Sequence, residues 1–182
     1  MEVIYLDKII NKNTNKELFE ILKECDNEFF PPLSHRNQST QMNLQDDSGE
    51  ISLEGPIEYF NDMISQKFLI AKEKNKIIGF MTFIDDYKSE IYKDFIKKDV
   101  NFYITTICVL KNHRGRGICG KFYDTIEKLA LNNECKTYIS TRTWSKNISH
   151  INILAKRGYK KIKTIDNDRG EGIDTIYFLK NS

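Results

Sequence analysis

Apolar and polar positions along this chain change period several times, and each change marks an element. "VIYLDKII" near the start alternates in part and reads as a strand. In "NTNKELFEILKECDNEFF", Leu18, Ile21, Leu22, Cys25 and Phe29 recur at helical spacing. Thr14 and Glu17 have the separation of a capping box at its start, and Pro31 and Pro32 stop it. The stretch from Asn37 to about Gly55 is polar and reads as loop. "GPIEYFNDMISQ" predicts a second short helix with Pro56 in its first turn. "KFLIAKEKNKIIGFMTFIDD" places two apolar runs around a charged turn at Glu73 to Asn75, the pattern of a hairpin. "SEIYKDFIKKD" is a charged connection. "VNFYITTICVL" is rich in β-branched and aromatic residues and predicts a buried central strand. A helix over about Gly117 to Asn133 follows, with Ile118, Phe122, Ile126 and Leu129 on one face. "TYISTRTW" is a strand, and "NISHINILAKRGY" a helix that stops at Gly158. "KKIKTIDN" and "DTIYFLKN" end the chain as two strands.

The order is strand, two helices, three strands, helix, strand, helix, two strands. It predicts one mixed α/β domain over residues 1–182, with helices on both faces of a central sheet. In such sheets a ligand binds beyond the carboxyl ends of the strands, and the loop after Val109 leaves such an end. Composition adds little to this picture. With 182 residues and 40% hydrophobic content the chain can bury a core, and a net charge of +2 gives no global pull toward nucleic acid or an anionic membrane. No apolar run approaches membrane-spanning length, and the N-terminus lacks the pattern of a signal peptide. Four cysteines without CxxC spacing predict reduced thiols in a cytoplasmic protein. Three scattered histidines give no metal-ligand pattern.

The chemistry-bearing stretch is "ICVLKNHRGRGICGKF". A tight glycine-punctuated turn that opens a helix presents successive backbone N–H groups and the positive end of the helix to an anion. Gly115 and Gly117 let the backbone take positive φ, and Arg114 and Arg116 add charge. The run is neither a Walker loop nor a dinucleotide fingerprint, because both spacings fail. Cys108 or Cys119 with His113 or His150 would suggest a thiol enzyme. Cys108, however, lies in a buried strand pattern where free cysteine is core, and His150 beside Ile151 and Leu154 reads as packed or capping.

"VLKNHRGRGIC" resembles the pyrophosphate-binding motif of the GNAT superfamily of acyl-CoA-dependent N-acyltransferases, Gln/Arg-x-x-Gly-x-Gly/Ala. Here it runs Arg114, Gly115, Arg116, Gly117, Ile118, Cys119, with Cys119 in place of the final small residue and Gly120 next. Asn147, followed eleven residues later by Gly158 and Tyr159, matches a second family element. The resemblance implies a GNAT-like, mostly antiparallel sheet and acetyl-CoA as co-substrate. It implies cofactor contacts from Ile107, Cys108, Val109, Arg114, Gly115, Arg116, Gly117, Ile118, Cys119, Gly120 and Asn147. The pantetheine arm would pair along Ile107 to Val109, and the backbone N–H near Val109 would polarise the thioester carbonyl.

For the proton that the amine must lose, the candidates are Tyr103, on the same strand, and the carboxylates Asp85 and Asp86, at the end of the preceding one, with Asp85 the first choice. Many relatives carry a tyrosine acid seven residues after the Asn; that position is Leu154 here, which leaves an acyl-CoA-binding module with little catalysis as the alternative. From Asn37 to Gln66 there are six acids (Asp46, Asp47, Glu50, Glu54, Glu58, Asp62) and no Lys or Arg. A negative rim favours a small cationic amine as acceptor rather than an acidic substrate. No nucleic-acid or membrane partner is expected, and a homodimer is compatible with this reading.

Overall fold

A computed structural model describes residues 1–9, 11–45 and 54–182. Among the described residues one sheet takes all seven strands: β1 (Glu2–Leu6), β2 (Lys67–Glu73), β3 (Lys76–Ile84), β4 (Val100–Val109), β5 (Thr137–Trp144), β6 (Lys160–Ile165) and β7 (Thr175–Asn181). Their order across the sheet is β1-β2-β3-β4-β5-β7-β6, antiparallel except for β4 against β5. The α-helices among the described residues are α1 (Lys12–Cys25), α2 (Ile57–Met63), α3 (Ile118–Leu131) and α4 (Ile148–Lys156). The expected order of elements and the mostly antiparallel sheet with helices on both faces are what the structure has.

Alternation sorts the strand side chains onto two faces. Met81, Phe83, Phe102 and Ile104 pack with Phe122, Tyr123 and Ile126 of α3 and Leu154 of α4. Phe68, Phe80 and Cys108 face the other way, onto Leu18, Ile21 and Leu22 of α1 and Tyr59 and Met63 of α2. The charged connection before β4 is anchored by Tyr92 and Ile96, which pack on Tyr103 and Tyr177. Two local readings change. Asn11, not Thr14, caps α1: its side chain accepts from Asn13 N at 2.8 Å, while Glu17 reaches across to Ile77 N at 3.3 Å. Gly117 stands before α3 rather than in it, with φ +75°.

Two irregularities in β4 prepare the site. Thr82 pairs with Thr106 but Phe83 pairs with Ile104, so Thr105 has no partner on β3 and forms a bulge. The extra residue puts Thr105 and Thr106 on the α1/α2 face together. Thr105 Oγ1 bonds to Thr82 Oγ1 and Gln66 Oε1, and Thr106 Oγ1 to Tyr59 Oη at 2.8 Å. The second irregularity is a fork: β4 and β5 pair from Val100/Thr137 only to Ile104/Thr141, and beyond that their ends no longer pair.

Candidate active site

The fork leaves Thr105 to Val109 with one open edge. Leu110 N–H donates to Ile78 O on the β3 side. Successive peptides of an extended chain point to opposite sides, so the N–H groups of Val109 and Ile107 point into the fork. Cys108 points its side chain into the core, where burial and the neighbouring Cys25 push its thiol well above the ordinary range. Burial raises the Cys119 thiol to about 11. Neither of these two is a thiolate at neutral pH.

Beyond β4 the chain makes one 3₁₀ turn (Lys111–His113) and enters the glycine loop. Gly115 and Gly117 both have positive φ, +71° and +75°, and a Cβ on either would meet nothing within 4 Å. Among the described residues no acceptor takes the N–H groups of Gly115, Arg116, Gly117, Ile118, Cys119 or Gly120; the first bonded donor of α3 is Lys121, onto Gly117 O. Six consecutive open donors at a helix N-terminus form an anion cradle that suits a pyrophosphate.

The two arginines of the loop are not presented to it freely, contrary to expectation. Arg114 pairs with Glu28 at 2.7 Å and donates to Val109 O at 2.8 Å, and Arg116 pairs with Glu73 at 2.6 Å. Each carboxylate cancels charge beside the cradle, so the backbone supplies its attraction. Asn147 caps α4, accepting from His150 N at 3.3 Å and donating to Thr143 Oγ1 at 3.1 Å. Ile118 is buried under the loop and reaches the cradle through its N–H alone.

Tyr103 is poorly suited as a base, and Asp85 lies away from Val109. Tyr103 lies at the apex of the fork, paired with Ser140 and stacked on Tyr87 at 4.3 Å. Its burial pushes the phenol above its ordinary value, so it keeps its proton. Asp85 follows Ile84, the partner of Tyr103, roughly 20 Å along the sheet from Val109 at strand spacing. It is half-exposed and ion-paired with Lys67 at 3.3 Å, which also holds Asp7. Leu154 is wholly buried in the core.

His150 is packed, as its setting predicts. Tyr123 Oη bonds to its Nε2 at 2.6 Å, and burial lowers its pKa to about 4. The folded protein therefore holds it neutral, while the unfolded chain protonates it below about 6.5. That contribution to stability is complete above pH 6.5 and is lost as pH falls toward 4. Thermal melts should lose roughly 2–3 kcal/mol over that window in the parent, and His150→Gln should flatten the loss.

A sequence comparison decides the family. The profile of the acetyltransferase (GNAT) family matches residues 16–159. The chain belongs to the GNAT family. No curated protein matches this GNAT chain in sequence. Its fold recurs in solved structures. Arabidopsis thaliana NAA60 in complex with a bisubstrate analogue superposes with TM-score 0.67 at 17% identity, over 99% of this chain and 98% of that one. Ribosomal-protein-alanine N-acetyltransferase from Brucella melitensis gives 0.65 at 11%, over 100% of each chain. An aminoglycoside 6'-N-acetyltransferase complexed with coenzyme A gives 0.63 at 14%, over 100% of this chain and 97% of that one.

Sequence reading missed three residues of this GNAT chain that crowd the β5 side of the fork: Arg36, Arg142 and Arg169. Arg142 follows Thr141, the last β5 residue paired with β4. It donates to Gln41 O at 2.6 Å and to Ser39 O at 3.3 Å. Arg36 donates to Pro31 O at 3.1 Å, and Arg169 to Phe30 O and to Thr175 Oγ1. The one sequence signal was Arg142 itself, a charge inside the strand pattern "TYISTRTW".

Proposed function

We propose that the protein transfers an acetyl group from acetyl-CoA to the primary amine of a small molecule, by direct attack in a ternary complex. The observation that carries this reading is the row of open N–H donors from Gly115 to Gly120 beside the unpaired edge of β4. The cradle holds the pyrophosphate through backbone donors and the N-terminus of α3. The edges of Ile107 and Val109 hold the pantetheine arm as an added strand, and a fork-facing N–H near Val109 stabilises charge on the thioester oxygen. Asn147 orients the start of α4 beside the arm. Arg114 and Arg116, tied to Glu28 and Glu73, hold the loop in shape.

Among the described residues no matched base stands at the fork, so the amine, which approaches as its ammonium, loses its proton to solvent before it attacks. Tyr103 serves as a donor and wall. With Leu154 at the family's tyrosine position, the thiolate leaves without that acid, which a thiol pKa of about 8.5 makes tolerable. The same leucine is what favours the second reading, an acyl-CoA-binding module with little catalysis.

The acceptor is cationic on approach, drawn by the acidic segment before β2. Asp46, Asp47 and Glu50 of that segment lie outside the described residues. Asp62 turns inward to accept from Ser39 N at 2.9 Å. We place the protein in the cytoplasm, in keeping with four free cysteines. Among the described residues no helix is long and apolar enough to cross a membrane.

Calorimetry should find acetyl-CoA bound at one site per chain in the micromolar range. A panel of amino acids, peptides, polyamines and aminoglycosides, followed by CoA release, then separates enzyme from module. Binding without release across the panel favours the module; heat with RNA or a nucleoside triphosphate but none with acetyl-CoA removes both.

A further inference from the structure

The six arginines of the chain divide in an unexpected way. The three nearer the surface each hold a carboxylate: Arg114 on Glu28, Arg116 on Glu73, Arg157 on Glu127. Arg36 and Arg169 are 95–96% buried, with relative exposures of 5% and 4%, and Arg142 lies between these and the surface. Among the described residues none of these three has a carboxylate within ion-pair distance. Their donors go to neutral groups, the carbonyls of Phe30, Pro31, Ser39 and Gln41 and the hydroxyl of Thr175. Buried charge is ordinarily paired, because leaving it unpaired is costly.

The three are one cluster. The Arg36 guanidinium lies over Phe29 at 5.9 Å, Phe29 meets Trp144 at 6.0 Å, and Arg169 lies over Trp144 at 5.7 Å. Trp144 ends β5 two residues after Arg142. Burial, then the fields of Arg36 and Arg142, push Arg169 down to about 9; burial is also the chief cause that lowers Arg36, to about 10. Among the described residues Asp26 and Asp168 are the nearest buried acids; Asp26 accepts from Ser34 N at 2.8 Å and Asp168 from Thr175 Oγ1 at 2.5 Å, and each offsets only part of the burial cost at Arg36 and Arg169. Arg169 also walls a cavity of about 590 Å³, shared with Phe30, Pro31, Leu44 and Asn167 and with the exposed Glu171. Arg169, which lines this cavity, also lies over Trp144 at the end of β5.

We propose that the acceptor carries a compact anionic group, a carboxylate or a phosphate, which the Arg36–Arg142–Arg169 cluster receives while the amine points to the fork. The proposal rests on the transferase reading above and narrows its acceptor to a zwitterion, an ammonium at one end and an oxyanion at the other. The acids counted between Asn37 and Gln66 favour the first charge, and the buried guanidinium groups select the second. Guanidinium suits either oxyanion, since its fork of donors matches both. The size of the cavity suits a small molecule or the end of a peptide.

The test compares matched acceptors on the unaltered protein: amino acids and dipeptides against their carboxamides, and aminoalkyl phosphates against the corresponding amino alcohols. The anionic member of one series should show kcat/KM at least about tenfold higher, because its loss leaves buried donors unanswered. Arg169→Met and Arg142→Met should bring that ratio toward one without changing KM for acetyl-CoA, and Arg169→Lys should keep part of it. Equal use of neutral members, or preference for a polyamine, overturns the proposal. If no amine is acetylated, the transferase reading falls. The anion site is then judged by calorimetry with the N-acetylated acid and the N-acetylated aminoalkyl phosphate. Binding that Arg169→Met removes upholds it, and no binding of either overturns it.

Discussion

Gly117→Glu should abolish acetyl-CoA binding in a protein that still folds. At φ +75° any side chain is strained, by about 1–2 kcal/mol in the left-handed region. For a chain of this length that lowers the melting temperature by roughly 2–8 °C. No neighbour lies within 4 Å of the added Cβ, so packing adds nothing to that cost. Binding suffers far more, because a carboxylate placed among donors from Gly115 to Gly120 occupies the anion's place and repels it. A loss of at least about 100-fold is expected, roughly 2.8 kcal/mol in affinity. Gly117→Ala carries the same backbone strain without the charge and should retain most of the affinity. Calorimetry and thermal melts on both variants check this. If the alanine variant loses binding as completely as the glutamate one, backbone shape rather than anion capture explains the loop. If neither loses it, the cofactor lies elsewhere.

The second large effect is on pH dependence. Tyr103 keeps its proton, and Asp85 is held by Lys67 far from Val109. The reactive form of the acceptor is then the fraction whose ammonium has lost its proton to solvent, before or after binding. From pH 7 upward kcat/KM for the amine should climb about tenfold per unit until the acceptor's own ammonium is titrated, about 100-fold over two units. Tyr103→Phe should leave that slope unaltered and lower the rate by less than about tenfold, the usual scale for one lost orienting group. A plateau near neutrality that disappears in Tyr103→Phe would restore Tyr103 as the proton acceptor.

The strands and helices were legible because their periods are strong. "VNFYITTICV" could be little else than a central strand, and Gly115 and Gly117 announced a positive-φ turn before α3. The cradle could be read for a local reason: its donors are consecutive in the chain. The arginine cluster could not be read, since residues 36, 142 and 169 meet only when the segment after α1 wraps over β5 and the β6–β7 loop closes against it. Electrostatic pairing was equally hidden. Nothing near "HRGRG" in sequence says that Glu28 and Glu73, 86 and 43 residues from Arg114 and Arg116, will cancel those charges. The cap on α1 went to Asn11 because Glu17 found a donor on β3, a choice made by tertiary contact.

The bulge at Thr105 works as a frame shift within β4. Upstream of it odd-numbered residues such as Tyr103 share the α1/α2 face; downstream that face belongs to even numbers, Thr106 and Cys108. Deleting Thr105 would restore a regular ladder and force one half of the strand to turn over. Either Phe102 and Ile104 would leave the α3 core, or Ile107 and Val109 would exchange sides with Cys108 and swing the fork-facing edge toward β3. Single-residue deletions in β4 should therefore be tolerated far less well than substitutions, and a chain descended from this one could lengthen its loops freely while keeping β4 the same length.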